Sequence, residues 1–323
     1  MSKRSGVFDV QEDVSKLVRG EEQKRPESGA MTVEKALRVI TKQMQVSGFR
    51  ERTINDYQLH WNHFAKITGV TFLTEITPNS IYSWLNSMTV SNQTKLTRLK
   101  CLKAILTKCF DNGWLEQKFW KSINIKIDKN VKKASASRDI ELLLSLLDLN
   151  TFVGLRDAVA IITLHKTGIR INTLGQLEER HIDFENLTLN LEGSILKNHK
   201  NLQLPIDEQT AELFRVLIQQ NKKVRKRYSK TNAFVFITQK GDSLDTKSTN
   251  NAISKRLNKY SKDYGLENIN PHAIRRAYAK NLLNKGADVA LISKALGHSS
   301  LAVTTQYLDL GIEEVSDNLR NFL

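Results

Sequence analysis

The stretch from Asn270 to Leu310 constrains the fold of this chain most. It runs Asn-Pro-His-Ala-Ile-Arg-Arg, then Leu-Gly-His-Ser-Ser, then Thr-Gln-Tyr-Leu. Asn270 is a good helix N-cap, and Pro271 suits the first helical position because its missing N–H has no partner there anyway. His272 and Arg275 then fall one turn apart on one helix face. Gly297 supplies a helix stop with His298 just beyond it, and Ser299 or Ser300 can cap a further short helix that carries Tyr307. Histidines, an arginine and a tyrosine thus recur at element ends. Acid/base groups, a fixed cation and a hydroxyl nucleophile are what phosphoryl transfer needs.

This stretch resembles the C-terminal signature of the tyrosine recombinases, the phage-integrase family. Their His-x-x-Arg falls here on His272 and Arg275, their Leu-Gly-His on His298, and their nucleophilic tyrosine on Tyr307. A second piece, Thr167-Gly-Ile-Arg, resembles the family's first arginine motif and puts Arg170 on the arginine. The acidic residue that often follows three positions later is Thr173 here. A third piece is the turn Lys197-Asn-His-Lys-Asn, where the family carries a hairpin lysine. Counting back from Pro205 gives Lys197, with Lys200 as the close alternative. The resemblance implies that Arg170 and Arg275 hold a scissile phosphate. In the same scheme His272 is a general base, His298 a phosphate hydrogen-bond donor, Lys197 a general acid and Tyr307 the nucleophile that forms a 3′-phosphotyrosine link. It implies no cofactor and no metal. Neither a Gly-x-x-x-x-Gly-Lys loop nor an Asp/Glu cluster for two metals is seen in the sequence.

Upstream, the pattern is helical. Thr32 precedes Ala36, Val39 and Ile40; Thr53 precedes Tyr57, Trp61 and Phe64; Thr77-Pro78 precedes Ile81, Trp84 and Leu85. A longer helix spans about Ser91 to Asp111, with Leu99, Leu102, Leu106 and Phe110 on one face and Asn112-Gly113 at its end. Trp61 and Tyr57 read as core, and His60 and His63 as packing or surface residues, since no third ligand stands nearby. Residues 121–133 break the pattern and carry five lysines. After helices at 140–149 and 157–165, residues 182–206 turn strand-like, in runs at 187–191, 194–196 and 202–206. Residues 207–220 and 246–260 read as helices, the second a candidate groove-facing element through Lys255, Arg256 and Lys259.

The fold expectation is therefore mainly α. A four-helix, SAM-like core-binding domain (31–120) clamps DNA, and an α+β catalytic domain with a small antiparallel sheet (138–323) follows a linker (121–137). Residues 1–30, with a possible short helix at 7–18, read as a flexible segment. Beyond Tyr307 an apolar stripe of Ile312, Val315, Leu319 and Phe322 suggests an exchange helix that docks on a neighbouring protomer. The formal net charge of +15 points to a polyanion partner. With the resemblance it implies double-stranded DNA at specific recombination sites, bound by a homotetramer on two sites. Cys101 and Cys109 have no metal or disulfide spacing, and no apolar run is long enough for a bilayer. These features lead us to expect a cytoplasmic protein with no membrane partner. The first functional expectation is the integrase or transposase of a mobile element. Chromosome-dimer resolution is the alternative, and a DNA-binding regulator without catalysis the contrasting class.

Overall fold

A computed structural model describes residues 30–127, 132–244 and 251–308, apart from the side chain of Gln306. The expected helix at 7–18, the start of the helix at 246 and the tail stripe from Ile312 to Phe322 lie outside the described residues. The chain forms two compact units, residues 1–129 and 130–323.

The first unit is built from four helices: α1 (Val33–Val46), α2 (Glu51–Thr68), α3 (Pro78–Asn86) and α4 (Asn92–Asp111). Three start at side-chain caps. Thr32 accepts from the Lys35 amide at 3.1 Å, Thr77 from Ser80 at 3.2 Å, and Ser91 from Thr94 at 3.3 Å. The second helix begins at Glu51, ahead of the expected Thr53, with Arg50 in the extended N-cap conformation. Phe64 and Trp84 meet edge-on at 5.6 Å between ring centroids. Trp61 donates to the Val33 carbonyl at 3.0 Å and Trp84 to His63 Nδ1 at 2.8 Å. His63 is thus a core partner. Trp120 and Ile123 close the same core, so the chain stays packed past the end of α4.

The second unit has eight helices among the described residues. They are α5 (Ser137–Ser145), α6 (Phe152–Thr167), α7 (Ile171–Gly175), α8 (Glu208–Tyr228), α9 (Ala252–Asp263), α10 (Pro271–Asn284), α11 (Val289–Ala295) and α12 (Leu301–Leu308). Between α7 and α8 lies an antiparallel sheet in the order β1 (Ile182–Asp183), β2 (Thr188–Leu191), β3 (Leu202–Pro205). Leu189 pairs with Ile182 and Leu204, which fixes the register with these apolar side chains in the core. The apolar run at 194–196 is not a strand. Gly193–Ile195 forms a 3₁₀ turn, and the Gly193 amide donates to Asn201 Oδ1 at 2.8 Å. Val235, Phe236 and Ile237 are buried, in a segment held by isolated bridges from Phe234 to Glu178 and from Ile237 to Ser243.

Helix α6 is the axis of this unit. Ala158, Val159, Ala160, Ile161 and Leu164 are all buried, as are Thr163 and Thr167 between them. A helix apolar all round must be surrounded, and α8 and α10 pack on it. Thr163 and Thr167 satisfy their hydroxyls on carbonyls four residues back. The N-terminal approach to α5 is pinned as well: Ser135 Oγ donates to the Asn268 carbonyl at 2.7 Å, and Arg276 Nε to the Lys133 carbonyl at 3.0 Å. No helix among the described residues is long and apolar enough to cross a membrane.

Candidate active site

Four element ends converge at one end of α6. The first is Gly168, which terminates α6 in the left-handed region at φ 63°. Any side chain there is excluded twice over, by the backbone and by Tyr278, whose ring would lie 2.2 Å from a Cβ. The turn sends the Gly168 carbonyl to Nη1 of Arg275. Two residues on, Arg170 is the extended N-cap of α7.

The third end is the start of α10. Asn270 accepts from the Ala273 amide at 3.0 Å and Pro271 holds the first position. His272 then sits in the first turn, and Arg275 one turn later is 2% exposed. The fourth is the end of α11. The His298 amide donates to the Ser293 carbonyl at 3.0 Å and the Gly297 amide to that of Lys294 at 2.9 Å, with Gly297 at φ 58°. This paired closure is a Schellman cap. It leaves the Leu296 carbonyl as an acceptor for both arginines: Nη2 of Arg275, and Nη1 of Arg170 at 3.5 Å.

Helix α12 brings Tyr307 onto this platform. Its hydroxyl is 3.3 Å from Nδ1 of His272. Its ring meets that of His298 at 4.8 Å, tilted 68°, and lies 5.9 Å from the guanidinium carbon of Arg275. Nδ1 of His298 is 2.9 Å from Oγ1 of the buried Thr304. Arg170, His272, Arg275, His298 and Tyr307 are therefore gathered in one place, from sequence positions up to 137 residues apart.

Lys197 is exposed in the turn after the 3₁₀ segment. Its neighbours fasten that turn to the arginine platform. Thr173 donates to the Ile195 carbonyl at 3.3 Å, and Asn198 Nδ2 to the Gly297 carbonyl at 3.4 Å. Thr173, standing where an acid was expected, thus bonds the 3₁₀ segment. Arg170 leans on a backbone carbonyl. Lys200 follows in the same exposed turn, beside His199.

The electrostatics follow from burial. Desolvation, then the neighbouring Arg170 charge, pushes the Arg275 guanidinium down to about 9. Burial also lowers Arg170. Desolvation, then the charges of Arg275, Arg276, Lys132 and Arg170, lowers His272. His298 falls to about 4 through desolvation, then Arg275 and Arg170. Both histidines are neutral at physiological pH. Nε of Arg275 and Nε2 of His298 are buried without a hydrogen bond among the described residues. A buried and a half-buried guanidinium held by backbone carbonyls, with no carboxylate bonded to them among the described residues, beside a phenol and two neutral imidazoles, suit an oxyanion such as a phosphate. Among the described residues no three His, Cys, Asp or Glu side chains gather as metal ligands.

Several of these contacts have no signal in the sequence. Thr304 looks like any helical threonine, and a backbone acceptor such as Leu296 has no residue preference. Asn198 reads as an ordinary turn residue.

The family model for the phage integrase family matches residues 136–313, more than half of the chain. The chain belongs to the phage integrase family. Members of this tyrosine recombinase family catalyse DNA strand cleavage and rejoining, and this chain is a tyrosine recombinase. Among its relatives is the tyrosine recombinase XerC of Bacillus licheniformis, 26% identical over 262 residues, covering 79% of this chain and 82% of the relative. The tyrosine recombinase XerD of Listeria innocua is 29% identical over 185 residues, 57% of this chain and 60% of the relative. Among solved structures, the Tn1549 transposon integrase in complex with a circular intermediate DNA aligns with a TM-score of 0.69 at 18% identity, over 88% of this recombinase and 99% of that chain. The XerH site-specific recombinase bound to a palindromic difH substrate aligns at 0.68 with 20% identity, over 89% and 84%. The fold of this recombinase is accordingly the mainly helical integrase fold with a small antiparallel sheet.

Proposed function

We propose that this recombinase cuts and rejoins DNA at specific sites through a 3′-phosphotyrosine link, as the integrase or transposase of a mobile element. The observation that carries the reaction is the Tyr307 hydroxyl at 3.3 Å from His272 Nδ1, beside two guanidiniums that no carboxylate among the described residues neutralises. In the proposed step the Tyr307 oxygen attacks phosphorus while neutral His272 takes the phenolic proton. A phenolic oxygen attacks poorly while it keeps its proton, so that help is needed. Arg170 and Arg275 hold the non-bridging oxygens as charge builds on them. The bond to the 5′ sugar oxygen breaks, and Lys197, swung in from its exposed turn, supplies the proton that the leaving oxygen takes up. The products are Tyr307 joined to a 3′-phosphate and a free 5′-hydroxyl. A hydroxyl from a second strand reverses the same steps, so the bond energy is retained.

Residues 31–120 are proposed as the DNA-clamping domain, on their basic character and helical pattern, and residues 138–323 as the catalytic domain. A homotetramer on two DNA sites, acting in the cytoplasm, completes the proposal. The DNA-bound recombinases among the structural neighbours support a DNA partner. Chromosome-dimer resolution is the second reading, favoured by the relatives named XerC and XerD. Amplifying an excised circle from the DNA that flanks the gene supports the mobile-element reading; recombination sites on the chromosome with no excised element support resolution.

The reaction itself is tested with a nicked suicide substrate. The protein is expected to become covalently attached to the 3′ end, and Tyr307→Phe to lose the attachment completely while still binding DNA. Attachment at the normal level in that variant would move the nucleophile elsewhere. No attachment by the unaltered protein would favour a regulator that binds without cutting.

A further inference from the structure

His298 makes one described side-chain hydrogen bond, at 2.9 Å between its Nδ1 and the hydroxyl of Thr304. Thr304 is fully buried, and its hydroxyl is used differently from those of three other helical threonines of this unit. Thr163, Thr167 and Thr305 donate their hydroxyls to the carbonyl four residues back. Thr304 makes no such bond among the described residues, so its proton is available to the imidazole. The other ring nitrogen, Nε2, is buried and unbonded. A neutral imidazole carries one proton, and the bond made by one nitrogen decides which of the two holds it.

We propose that Thr304 is a positioning residue, whose hydroxyl donates to Nδ1 of His298 and so holds the neutral ring as its Nε2–H tautomer, a ready donor to a non-bridging phosphate oxygen. The inference rests on the strand-cleavage reading above. No proton leaves His298 in this role: the ring accepts one hydrogen bond and donates another. The opposite tautomer would turn the lone pair of Nε2 toward any oxyanion bound there, and lone pairs repel. Depression of His298 to about 4 removes the imidazolium, which would donate from both nitrogens without any help from Thr304. Thr304 and Tyr307 lie one turn apart on α12. The donor is therefore set only when the helix that carries the nucleophile is seated.

The test uses the full-length protein labelled with ¹⁵N-histidine, in long-range proton–nitrogen spectra at neutral pH. The unaltered protein is expected to show His298 as Nε2–H. Thr304→Val keeps the shape and removes the hydroxyl. It should lose that preference and slow cleavage of pre-bound suicide DNA about tenfold, the worth of one buried hydrogen bond, while Thr304→Ser restores both. Combined with His298→Ala, Thr304→Val should add no further loss, because the two act as one unit. His298 found as Nδ1–H in the unaltered protein overturns the proposal, as does a full extra loss in the double variant, which marks Thr304 as a packing residue. Failure of the underlying reading looks different: Tyr307→Phe would still link to DNA, and His298→Ala would cut at the normal rate, whatever the spectra show.

Discussion

Two sets of buried arginines lie in the C-terminal unit, and they are neutralised in opposite ways. Arg156 is 4% exposed and donates through Nε and Nη2 to Asp157, whose other oxygen accepts from Arg256. Arg225 is bonded to Glu179 at 2.6 Å and to the Phe234 carbonyl. Each of these cations has its anion inside the protein. Arg275 is as deeply placed and Arg170 half-buried, and among the described residues they lean on the carbonyls of Gly168 and Leu296, with no carboxylate bonded to either. Carbonyls supply hydrogen bonds without cancelling charge. A balanced pair holds the fold together, whereas an unbalanced pair awaits an anion from outside.

The sharpest way to break this contrast is to remove one member of each set. Asp157→Ala leaves Arg156 buried without its anion and should cost about 3–5 kcal/mol of stability, read by urea unfolding, with cleavage intact at temperatures where the variant folds. Arg275→Gln should do the reverse. Cleavage of suicide DNA should drop about 10²–10³-fold, as when one transition-state donor is lost, with a smaller loss of stability than in Asp157→Ala. Equal effects of both variants on stability and on cleavage would erase the distinction.

A cation outside both sets sharpens it further. Lys197→Ala should slow cleavage by about 10²-fold, at the low end for a general acid, and more than Lys200→Ala, with DNA binding kept in both. A 5′-bridging phosphorothioate, whose sulfur leaves without a proton, should rescue Lys197→Ala. No rescue would show that Lys197 is not the acid.

Anion binding can be seen without DNA. Inorganic phosphate at tenfold its dissociation constant should raise the melting temperature by about 3–6 °C through binding to the folded state. Asp157→Ala should keep this rise and Arg275→Gln should lose it. A rise retained in Arg275→Gln would be a general salt effect.

The smallest expected effect is on pH. His298, held at about 4, and His272, also lowered, are harder to protonate when folded than when unfolded. The unfolded chain binds more protons as pH falls below about 6.5, so stability should decline toward pH 4. His298→Gln should flatten that decline. A steeper slope in the variant would contradict the sign.

Much of the fold around these arginines was legible in the sequence, and the reasons differ by residue. Asn270-Pro271 and Gly297 are local devices: a cap, a fixed φ and a left-handed turn each demand a residue type, so the ends carrying His272, Arg275 and His298 could be placed. Thr32, Thr77 and Ser91 worked alike in the first unit. The run at 194–196 was misleading because three residues suit a strand or a 3₁₀ turn equally, and the Asn201 bond to Gly193 decided it from a distance. Arg256 was expected to face a groove, yet it turns to Asp157, a partner 99 residues away. The basic run at 222–230 likewise turns Arg225 inward, to Glu179. A charge seen in sequence does not reveal whether its anion lies inside the protein.

The shared carbonyl of Leu296 has a consequence for how this protein can vary. Every residue type at 296 would bring the same oxygen, so selection on the leucine acts through its packing in the core, where it is 1% exposed. An alanine scan would weigh the side chain and pass over the acceptor. Drift along a lineage meets the same blind spot, and the anchor of both guanidiniums is thereby sheltered from point mutation. It answers to the path of the backbone, which Gly297 bends at a cost of about 1–2 kcal/mol for any side chain bearing a Cβ. Chemical synthesis offers a probe: an ester in place of the amide after Leu296 weakens that oxygen as an acceptor, removes the Gly297 N–H that donates to Lys294, and leaves every side chain as it was.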